Sequence, residues 1–289
     1  MSDQLKHGIM KRTLLTILAS AAIAMTSAAQ SIPLKMNNTS FKAGEKIVYD
    51  AYFNLGLIWV HAAKVTFTVQ NTVFQNKEAY KLTAAGSTLN TFAKFYTVHD
   101  TLYSYAQRST LIPLYYKRIA HEDSYWAEDI FVFNKNTEDA TSVKTTCLRR
   151  KKAPDTKHLE LKGVVTDLVT AIYRLRNYDF EHSNPSKYIP FNIVYDNDGK
   201  KFDLNVKYVG KETVTLKNGD KYRCIKLKPK MIKGGIFKSE DAVTIWITDD
   251  KNRIPVYIEA KIKVGALKAY LRSYQGLSHE LTSYAGKEK

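Results

Sequence analysis

The sequence predicts a mainly β protein built from curved antiparallel sheets, of the open-barrel or half-barrel type, with one amphipathic helix near residues 164–177. Three observations lead to this prediction. Apolar and polar residues alternate with the two-residue period of strands along nearly the whole chain. The 19 tyrosines and 12 phenylalanines suit wide sheets, because flat rings pack well on pleated surfaces. Short links rich in Asn and Gly favour tight turns between antiparallel neighbours.

The N-terminus, residues 1–29, has the residue order of a secretory signal peptide. Lys6, Lys11 and Arg12 precede an apolar run over residues 14–25, and small residues follow up to Ala29. We therefore expect cleavage near Ala29 and export to the periplasm or outer envelope. The apolar run is shorter than the roughly 20 residues that a transmembrane helix needs. No later run reaches that length, so we expect no transmembrane anchor.

A first β-rich half is predicted over residues 41–148, after a short N-terminal segment at residues 30–40. Runs of β-branched and aromatic residues with a two-residue period mark each expected strand. The strands expected in this half cover residues 45–54, 61–70, 95–106, 111–121, 125–133 and 141–148.

The second half is predicted over residues 164–286, after a basic, Pro-containing linker at residues 149–163. It begins with the helix, in which apolar residues recur at helical spacing at Val164, Leu168, Ala171, Ile172 and Leu175. Strands are then expected at residues 189–195, 202–209, 213–216, 222–227, 242–248 and 255–264. Tight turns are expected at Asn197-Asp198-Gly199 and Asn218-Gly219-Asp220. We expect the two halves to form one continuous domain.

The charge balance bears on partners. Lys and Arg exceed Asp and Glu by 44 to 28, which gives a net charge of +16. Many lysines alternate with apolar residues, as in residues 225–228 and 260–264, and this pattern indicates a solvated lysine face on half-buried strands. Nucleic acid is not expected as the partner of an exported protein. Anionic glycans and lipid head groups are the alternatives for the basic face, and the oligomeric state stays open.

Cys147 and Cys224 are the two cysteines of the chain. In an oxidising compartment they could form a bridge, or they could stay two separate buried thiols, and the sequence leaves both alternatives open. They lie far apart in sequence with no histidine beside them, so they do not match the ligand spacing of a zinc site. We expect no metal and no cofactor.

Catalytic motifs are weak throughout the chain. It has no Gly-x-Ser-x-Gly elbow, no His-Glu-x-x-His, no phosphate-binding glycine loop and no dinucleotide fingerprint. The acid–base candidates are His99-Asp100 and His121-Glu122-Asp123, but neighbouring residues on a strand point to opposite faces. We therefore expect no catalytic residues. A glycan-active enzyme with two carboxylates that converge in space stays an alternative.

Candidate ligand contacts come from aromatic and charged residues. Trp59, Trp126 and Trp246 could line a cavity or a glycan platform, although most aromatic side chains of a wide sheet belong to its core. Arg174 and Arg176 lie near the end of the predicted helix, where they either contact a ligand or cap the helix and pair with surface acids. Tyr96 and Asp100 complete the set of candidate ligand-binding residues.

A set of short motifs in a fixed order resembles a known family. The motifs are Phe41-x-x-Gly44-Glu45-Lys46-x-x-Tyr49, Gly56, Tyr96-x-x-x-Asp100, Pro113, Glu122 to Tyr125, the helix from Asp167 to Arg176, Gly219-Asp220-x-Tyr222, Ile245-Trp246-Ile247-x-x-Asp250 and Arg253-Ile254-Pro255-Val256. Together they resemble the bacterial exported family catalogued as domain of unknown function 3108. The resemblance implies an exported, β-rich protein without an assigned activity, and its fold is loosely similar to the open β-barrel of periplasmic lipoprotein carriers.

These observations favour a non-catalytic envelope protein that binds or carries a hydrophobic or amphiphilic ligand, such as a lipid or a lipidated chain, in a cavity of the curved sheet. The competing hypothesis is an envelope assembly or interaction protein without a cavity. The two hypotheses differ in whether the interior of the sheet holds apolar space.

Overall fold

The computed structural model describes residues 32–55, 58–183, 188–195, 202–231, 237, 239–263 and 265–288. The predicted signal peptide with its cleavage near Ala29, Gly56 and the predicted turn at Asn197-Asp198-Gly199 lie outside these residues. In the part described, no helix is long and apolar enough to span a membrane.

Fifteen strands and two short helices make up the described chain. The helices are α1 (Asn90–Ala93) and α2 (Leu168–Arg176). The strands are β1 (Lys46–Leu55), β2 (Ile58–Phe74), β3 (Lys77–Thr88), β4 (Val98–Gln107), β5 (Pro113–Glu122), β6 (Tyr125–Asn136), β7 (Ala140–Arg149), β8 (Asp155–Lys162), β9 (Tyr188–Ile193), β10 (Phe202–Thr215), β11 (Asp220–Pro229), β12 (Val243–Thr248), β13 (Pro255–Lys261), β14 (Ala266–Gln275) and β15 (Tyr284–Lys287).

All strands belong to one sheet with the order β8-β7-β6-β5-β4-β3-β2-β1-β14-β13-β12-β11-β10-β9, and β15 pairs with β11. Every strand pair is antiparallel. The pairing of β1 with β14 joins the early strands to the late ones, so one continuous sheet runs through both halves. The predicted fold class, mainly β with curved antiparallel strands, is confirmed.

The two end strands of this sheet approach each other through the segment that follows β8. Thr166 forms a parallel bridge with Ile193 of β9. Its amide donates to the Asn192 carbonyl at 2.9 Å, and the Val194 amide donates to the Thr166 carbonyl at 2.9 Å. On the other side of the segment, the Thr141 hydroxyl of β7 donates to the Gly163 carbonyl at 2.8 Å. The sheet therefore curls almost into a barrel.

Helix α2 lies inside the curve. Its residues contact β3 and β4 on one side and β9 on another. The helix begins later than the predicted residue 164, because the Asp167 side chain accepts a hydrogen bond from the Thr170 amide at 2.8 Å and acts as N-cap. The preceding residues are extended and bridge to β9, which is why the apolar residue Val164 belongs to the core but not to the helix.

The main apolar core joins α2 to side chains from nearly every strand, including Leu82, Leu102, Phe131, Phe191 and Val243. A smaller core packs strands of the second half around Tyr49, Cys224, Trp246 and Leu271. Both cysteines are buried and no disulfide bond joins them, which decides between the two alternatives in favour of separate thiols.

Within the predicted linker at residues 149–163, Asp155–Lys162 forms strand β8, which the sequence pattern does not predict. This strand ends the sheet and pairs only with β7. Six of its eight residues are exposed, so it carries charged side chains where an inner strand would carry apolar ones. The amino-acid composition of β8 therefore resembles that of a loop.

The sequence pattern also does not predict strands β3, β14 and β15. The two stretches predicted at residues 202–209 and 213–216 form the single strand β10. Strand β3 consists largely of Ala, Thr, Gly and Ser, which have little apolar bulk to show a period. Strand β10 continues through Gly210, where its register with β11 shifts by a bulge.

Candidate functional site

The last turn of α2 places Arg176 in a buried ion pair. Its guanidinium donates to both carboxylate oxygens of Glu45, at 2.6 and 2.8 Å. It also donates to the backbone carbonyls of Asn252 and Ser40, at distances from 2.9 to 3.2 Å. Desolvation lowers the pKa of Arg176, but the charge and hydrogen bonds of Glu45 outweigh it and the pKa is raised. Arg176 therefore stays a cation in the interior.

Arg174 is buried without a carboxylate in hydrogen-bond contact. It donates to the carbonyls of Pro33, Leu34 and Leu111, with distances of 2.9 Å to Leu34 and 3.1 Å to Leu111. Burial lowers its pKa to about 10. The side chain thus ties the extended N-terminal segment to the helix, and the competing expectation of a surface ion pair does not describe it.

An apolar cavity of about 60 Å³ lies between α2 and the inner face of the sheet. Ile172 and Leu175 of the helix line it and are only half-buried. Its other lining residues come from α2, β1, β2, β12 and β13, namely Tyr173, Arg176, Ile47, Tyr49, Phe67, Ile245, Ile247, Pro255 and Ile258. Almost the whole wall is hydrocarbon or aromatic ring.

Tyr173 adds a polar group to the cavity wall. The residue is 1% exposed, and its hydroxyl has no hydrogen-bond partner in the described structure. Burial raises the pKa of this phenol, so it stays a neutral hydroxyl. A buried unpaired hydroxyl carries an uncompensated desolvation cost. The cavity therefore combines apolar volume with a lining residue, Tyr173, whose buried hydroxyl has no partner in the described structure.

A charged cluster lies on the same inner face in β4, β5 and β6. Arg118 donates to Glu122 at 3.3 Å and to Asp129 at 3.2 Å. The Tyr96 hydroxyl donates to the other oxygen of Glu122 at 3.1 Å. Arg149 of β7 donates to Asp129 at 2.6 Å. Glu122 and Asp129 are buried, so these ion pairs are held away from water.

Asp100 completes this cluster. One of its oxygens accepts the His121 amide at 3.1 Å, and its carboxyl group also interacts with that of Glu122. Within the described structure, Nε of Arg118 has no hydrogen-bond partner. Burial raises the pKa of Asp100 above its ordinary value of 3.8, against the opposing charge of Arg118. In the described part of the chain, the cluster therefore retains one unused donor, Nε of Arg118. It connects sequence candidates Tyr96 and Asp100, which lie on separate elements of the chain.

The three tryptophans do not join either group. Trp246 points away from Ile245 and Ile247, stacks on Tyr257 at 4.7 Å between ring centroids and donates to Glu212. Tyr257 stacks in turn on Tyr270 at 4.8 Å. Because the rings cover each other's faces, this row leaves little flat surface for a sugar ring.

The other two tryptophans lie elsewhere. Trp59 is 38% exposed at the start of β2, and the Lys268 amine lies 4.6 Å from the centroid of its ring. Trp126 is half-buried in β6, where its ring lies 6.5 Å from that of His121. Neither lines the cavity beneath α2.

A second, open pocket of about 430 Å³ lies beyond the C-terminal end of α2. It is lined by Thr39, Ser40, Arg176, Asn177, Tyr178, Asp179, Lys251, Arg253 and His279. Its polar groups mostly bind one another: Arg253 donates to the Tyr178 carbonyl, and the Asn177 side chain accepts the amides of Thr39 and Ser40. This pocket is a groove between the N-terminal segment and the helix end.

Sequence reasoning missed Arg118, Glu122 and Asp129 as members of one cluster. A two-residue period from the buried Tyr116 places Arg118, Ala120 and Glu122 on the inner face of β5. Charged residues at inward positions of a strand are unusual, so this period could have identified them. Within the described ranges, no three His, Cys, Asp or Glu side chains are grouped so that they could hold a metal ion.

The fold and its interior define a class of protein in which an open, curved antiparallel sheet wraps around one buried helix. The chain belongs to the family described as "Protein of unknown function (DUF3108)", whose profile matches residues 48–272. This match confirms the resemblance that the motif order predicts.

Among solved structures, the chain is similar to a "beta-barrel-like protein of domain of unknown function DUF1849 from Brucella abortus". The similarity covers 85% of this chain and 99% of that chain, with 9% sequence identity and a TM-score of 0.49. No curated protein matches the sequence.

Proposed function

We propose that this protein is a non-catalytic binding or carrier protein that takes the apolar part of a lipid or another amphiphile into the interior of its curved sheet. The observation that carries the proposal is the apolar cavity between α2 and strands β1, β2, β12 and β13. A small-molecule site is typically a mostly apolar concavity with a few polar groups that orient the ligand.

The polar groups at this site suit an amphiphile. The unpaired hydroxyl of Tyr173 can donate to or accept from a ligand atom without losing an existing hydrogen bond. Arg176 also lines the cavity, but its charge is already compensated by Glu45. The site therefore favours a neutral or weakly polar group beside an apolar chain over a strongly charged ligand.

The size of the cavity limits what it holds at rest. About 15 Å³ suffices for one water molecule, and an apolar cavity of about 150 Å³ binds benzene. A cavity of about 60 Å³ lies between these sizes and accommodates the end of an acyl chain. A whole chain requires α2 to shift away from the sheet, and the half-buried side chains Ile172 and Leu175 are the ones that such a shift would expose.

The predicted signal peptide supports an exported location, in the periplasm or outer envelope, for this proposed activity. Amphiphiles need a carrier wherever they cross water between membranes, because their apolar surface is costly to hydrate. Export with cleavage near Ala29 thus belongs to the proposal.

The test uses methyl cis-parinarate, the uncharged methyl ester of a fluorescent fatty acid, as the probe. Ile258→Phe fills the cavity, and we expect it to weaken probe binding about tenfold or more, since each 1.4 kcal/mol of lost affinity is a factor of about ten. Val73→Phe is the matched control, because it adds a ring at an exposed position of β2 and leaves the cavity unchanged.

Overpacking of a core costs about 1–3 kcal/mol, so both variants are first compared by urea unfolding. Tyr173→Phe removes only the hydroxyl and keeps the cavity shape. It should weaken binding of the ester more than binding of the corresponding hydrocarbon, which has no acceptor for that hydroxyl. Equal affinity of wild-type protein, Ile258→Phe and Val73→Phe for the probe would show that the cavity is not the binding site. Absence of binding to all three would favour an assembly protein without a ligand.

A further inference from the structure

We propose that the end of the sheet that carries Ile58, Trp59 and Phe95 is a docking surface for an anionic lipid bilayer. These three residues are here called the apolar tip. This inference concerns the outer surface and stands independently of the cavity beneath α2.

The side chains of the apolar tip are large and apolar, and they are unusually exposed to solvent. Ile58 is 67% exposed, Phe95 66% and Trp59 38%. Ile58 and Trp59 begin β2, and α1, just before Phe95, packs against β2. The Leu89 amide at the start of α1 donates to the Ala62 carbonyl of β2 at 2.9 Å, so the two pieces are joined.

The apolar tip is connected to the core through aromatic packing. Phe92 is 4% exposed, and its ring lies 5.8 Å from that of Phe95 and 6.0 Å from that of Phe53. The aromatic cluster continues from the core to the surface without a polar layer between them. Exposed Phe95 is therefore held outward by packed neighbours and does not fold back onto the sheet.

Cations lie beside the apolar tip and elsewhere at the same end of the sheet. Lys94 is exposed beside Phe95, and the Lys268 amine lies 4.6 Å from the centroid of the Trp59 ring. Strand direction alternates in this antiparallel sheet, so the turn between β7 and β8 lies at the same end as the start of β2. That turn carries the exposed cations Arg150, Lys151 and Lys152.

Among the described residues, the exposed acids at this end are Asp123, Asp155, Glu240 and Asp241, and some of them are paired. Asp123 accepts the Thr97 amide at 2.8 Å, and Asp155 lies 3.9 Å from the Lys157 amine. Glu240 pairs with Lys230 at 3.2 Å. The end of the sheet therefore presents apolar side chains among an excess of cations, which is complementary to a surface of acyl chains beneath anionic head groups.

The small size of the apolar tip favours a bilayer over a protein partner. A stable protein interface buries about 800 Å² on each side around an apolar centre, whereas here three side chains protrude between lysines. A bilayer accepts single protruding residues, and Trp is enriched at the level of the head groups. Lysines beside such residues add attraction to anionic lipid that salt weakens.

Flotation with vesicles tests this inference, with phosphatidylcholine alone and with phosphatidylcholine containing phosphatidylglycerol. We expect the wild-type protein to float with the anionic vesicles, and added salt to reduce the bound fraction. The double variant Ile58→Ser with Phe95→Ser should reduce binding about tenfold or more, since two large side chains no longer leave water.

Val73→Ser is the matched control, because Val73 is 68% exposed near the opposite end of the same strand. It should bind like the wild-type protein. The double variant Lys151→Glu with Lys152→Glu keeps the apolar tip intact, and it should bind anionic vesicles more weakly than the wild-type protein does. Equal flotation of the tip variant and the Val73→Ser control would overturn the inference. Absence of vesicle binding by the wild-type protein would also overturn it. So would a wild-type dimer that the tip variant no longer forms, because the partner of the apolar tip would then be a second copy of the chain.

Discussion

Glu45 and Arg176 form an ion pair in the interior, where each charge depends on the other. Arg176→Met leaves the Glu45 carboxylate buried without its partner, and removing one member of such a pair costs about 3–5 kcal/mol. Arg108 and Glu78 provide a matched control, because their side chains are 39% and 71% exposed and their pair contributes little. We expect urea unfolding to show a large loss for Arg176→Met and a loss below about 1 kcal/mol for Arg108→Met.

The double variant Glu45→Leu with Arg176→Met tests the cause of this loss. It removes both charges, so it should recover part of the stability that Arg176→Met loses. The carbonyls of Asn252 and Ser40 still lose their donor, which limits the recovery. Similar losses for Arg176→Met and Arg108→Met would contradict the assignment of a buried pair.

Single residues show where prediction from the sequence ends. The helical spacing of residues 164–177 correctly places Arg174 and Arg176 near a helix end, but it contains nothing about their partners. Glu45 lies 131 positions from Arg176 in the sequence, and the Leu34 carbonyl lies 140 positions from Arg174. Such contacts follow from the curling of the whole sheet, which local patterns do not encode.

Helix α2 is capped at its N-terminus by Asp167, and burial of this carboxylate makes its charged form unfavourable. The Asp167 carboxylate accepts the Thr170 amide at 2.8 Å and the Ser104 hydroxyl at 2.9 Å. Burial raises its pKa above the ordinary value of 3.8. The folded protein therefore holds a proton on Asp167 at pH values where the unfolded chain has lost it, so this group lowers stability as the pH rises from 3.8 through the folded pKa.

Two replacements of Asp167 separate the cap from the charge. Asn caps helices about as well as Asp but carries no charge, whereas Ala loses a cap that contributes about 1 kcal/mol. We expect the stability of Asp167→Asn, measured relative to wild type, to be higher at neutral pH than at acidic pH. Asp167→Ala should be less stable than wild type at both pH values. Urea unfolding at the two pH values measures this difference. A pH-independent effect of Asp167→Asn would mean that the folded pKa is not raised.

The elements differ in how well the sequence predicts them, and burial explains the difference. Strands with one face in the core, such as β4 and β6, show alternation clearly and are predicted within a few residues. Strand β8 is exposed on most of its length because it ends the sheet, so its sequence lacks the apolar period. Strand β8 contributes Leu159 and Leu161 to the core. An element whose stability otherwise comes mainly from backbone pairing leaves little trace in side-chain pattern.

At the scale of the whole molecule, the pairing of β1 with β14 makes one structure of two sequence halves. Helix α2 reinforces this connection, because it contacts strands β3 and β4 of the first half and β9 of the second. Interactions that cross between halves in this way favour cooperative unfolding of the entire chain. The buried cysteines can report on this, since Cys147 lies in β7 and Cys224 in β11.

The two thiols should become reactive together. Cys147 is 6% exposed and Cys224 is fully buried, and burial raises the pKa of Cys224 to about 12, so neither should react readily with iodoacetamide in the folded protein. The variants Cys147→Ser and Cys224→Ser each leave one reporter, and Val73→Cys provides an exposed thiol that should react at once. With increasing urea, we expect both single reporters to show the same midpoint, because neither half can expose its thiol without breaking the shared sheet. Two separate midpoints would mean that β1 and β14 part before the halves unfold.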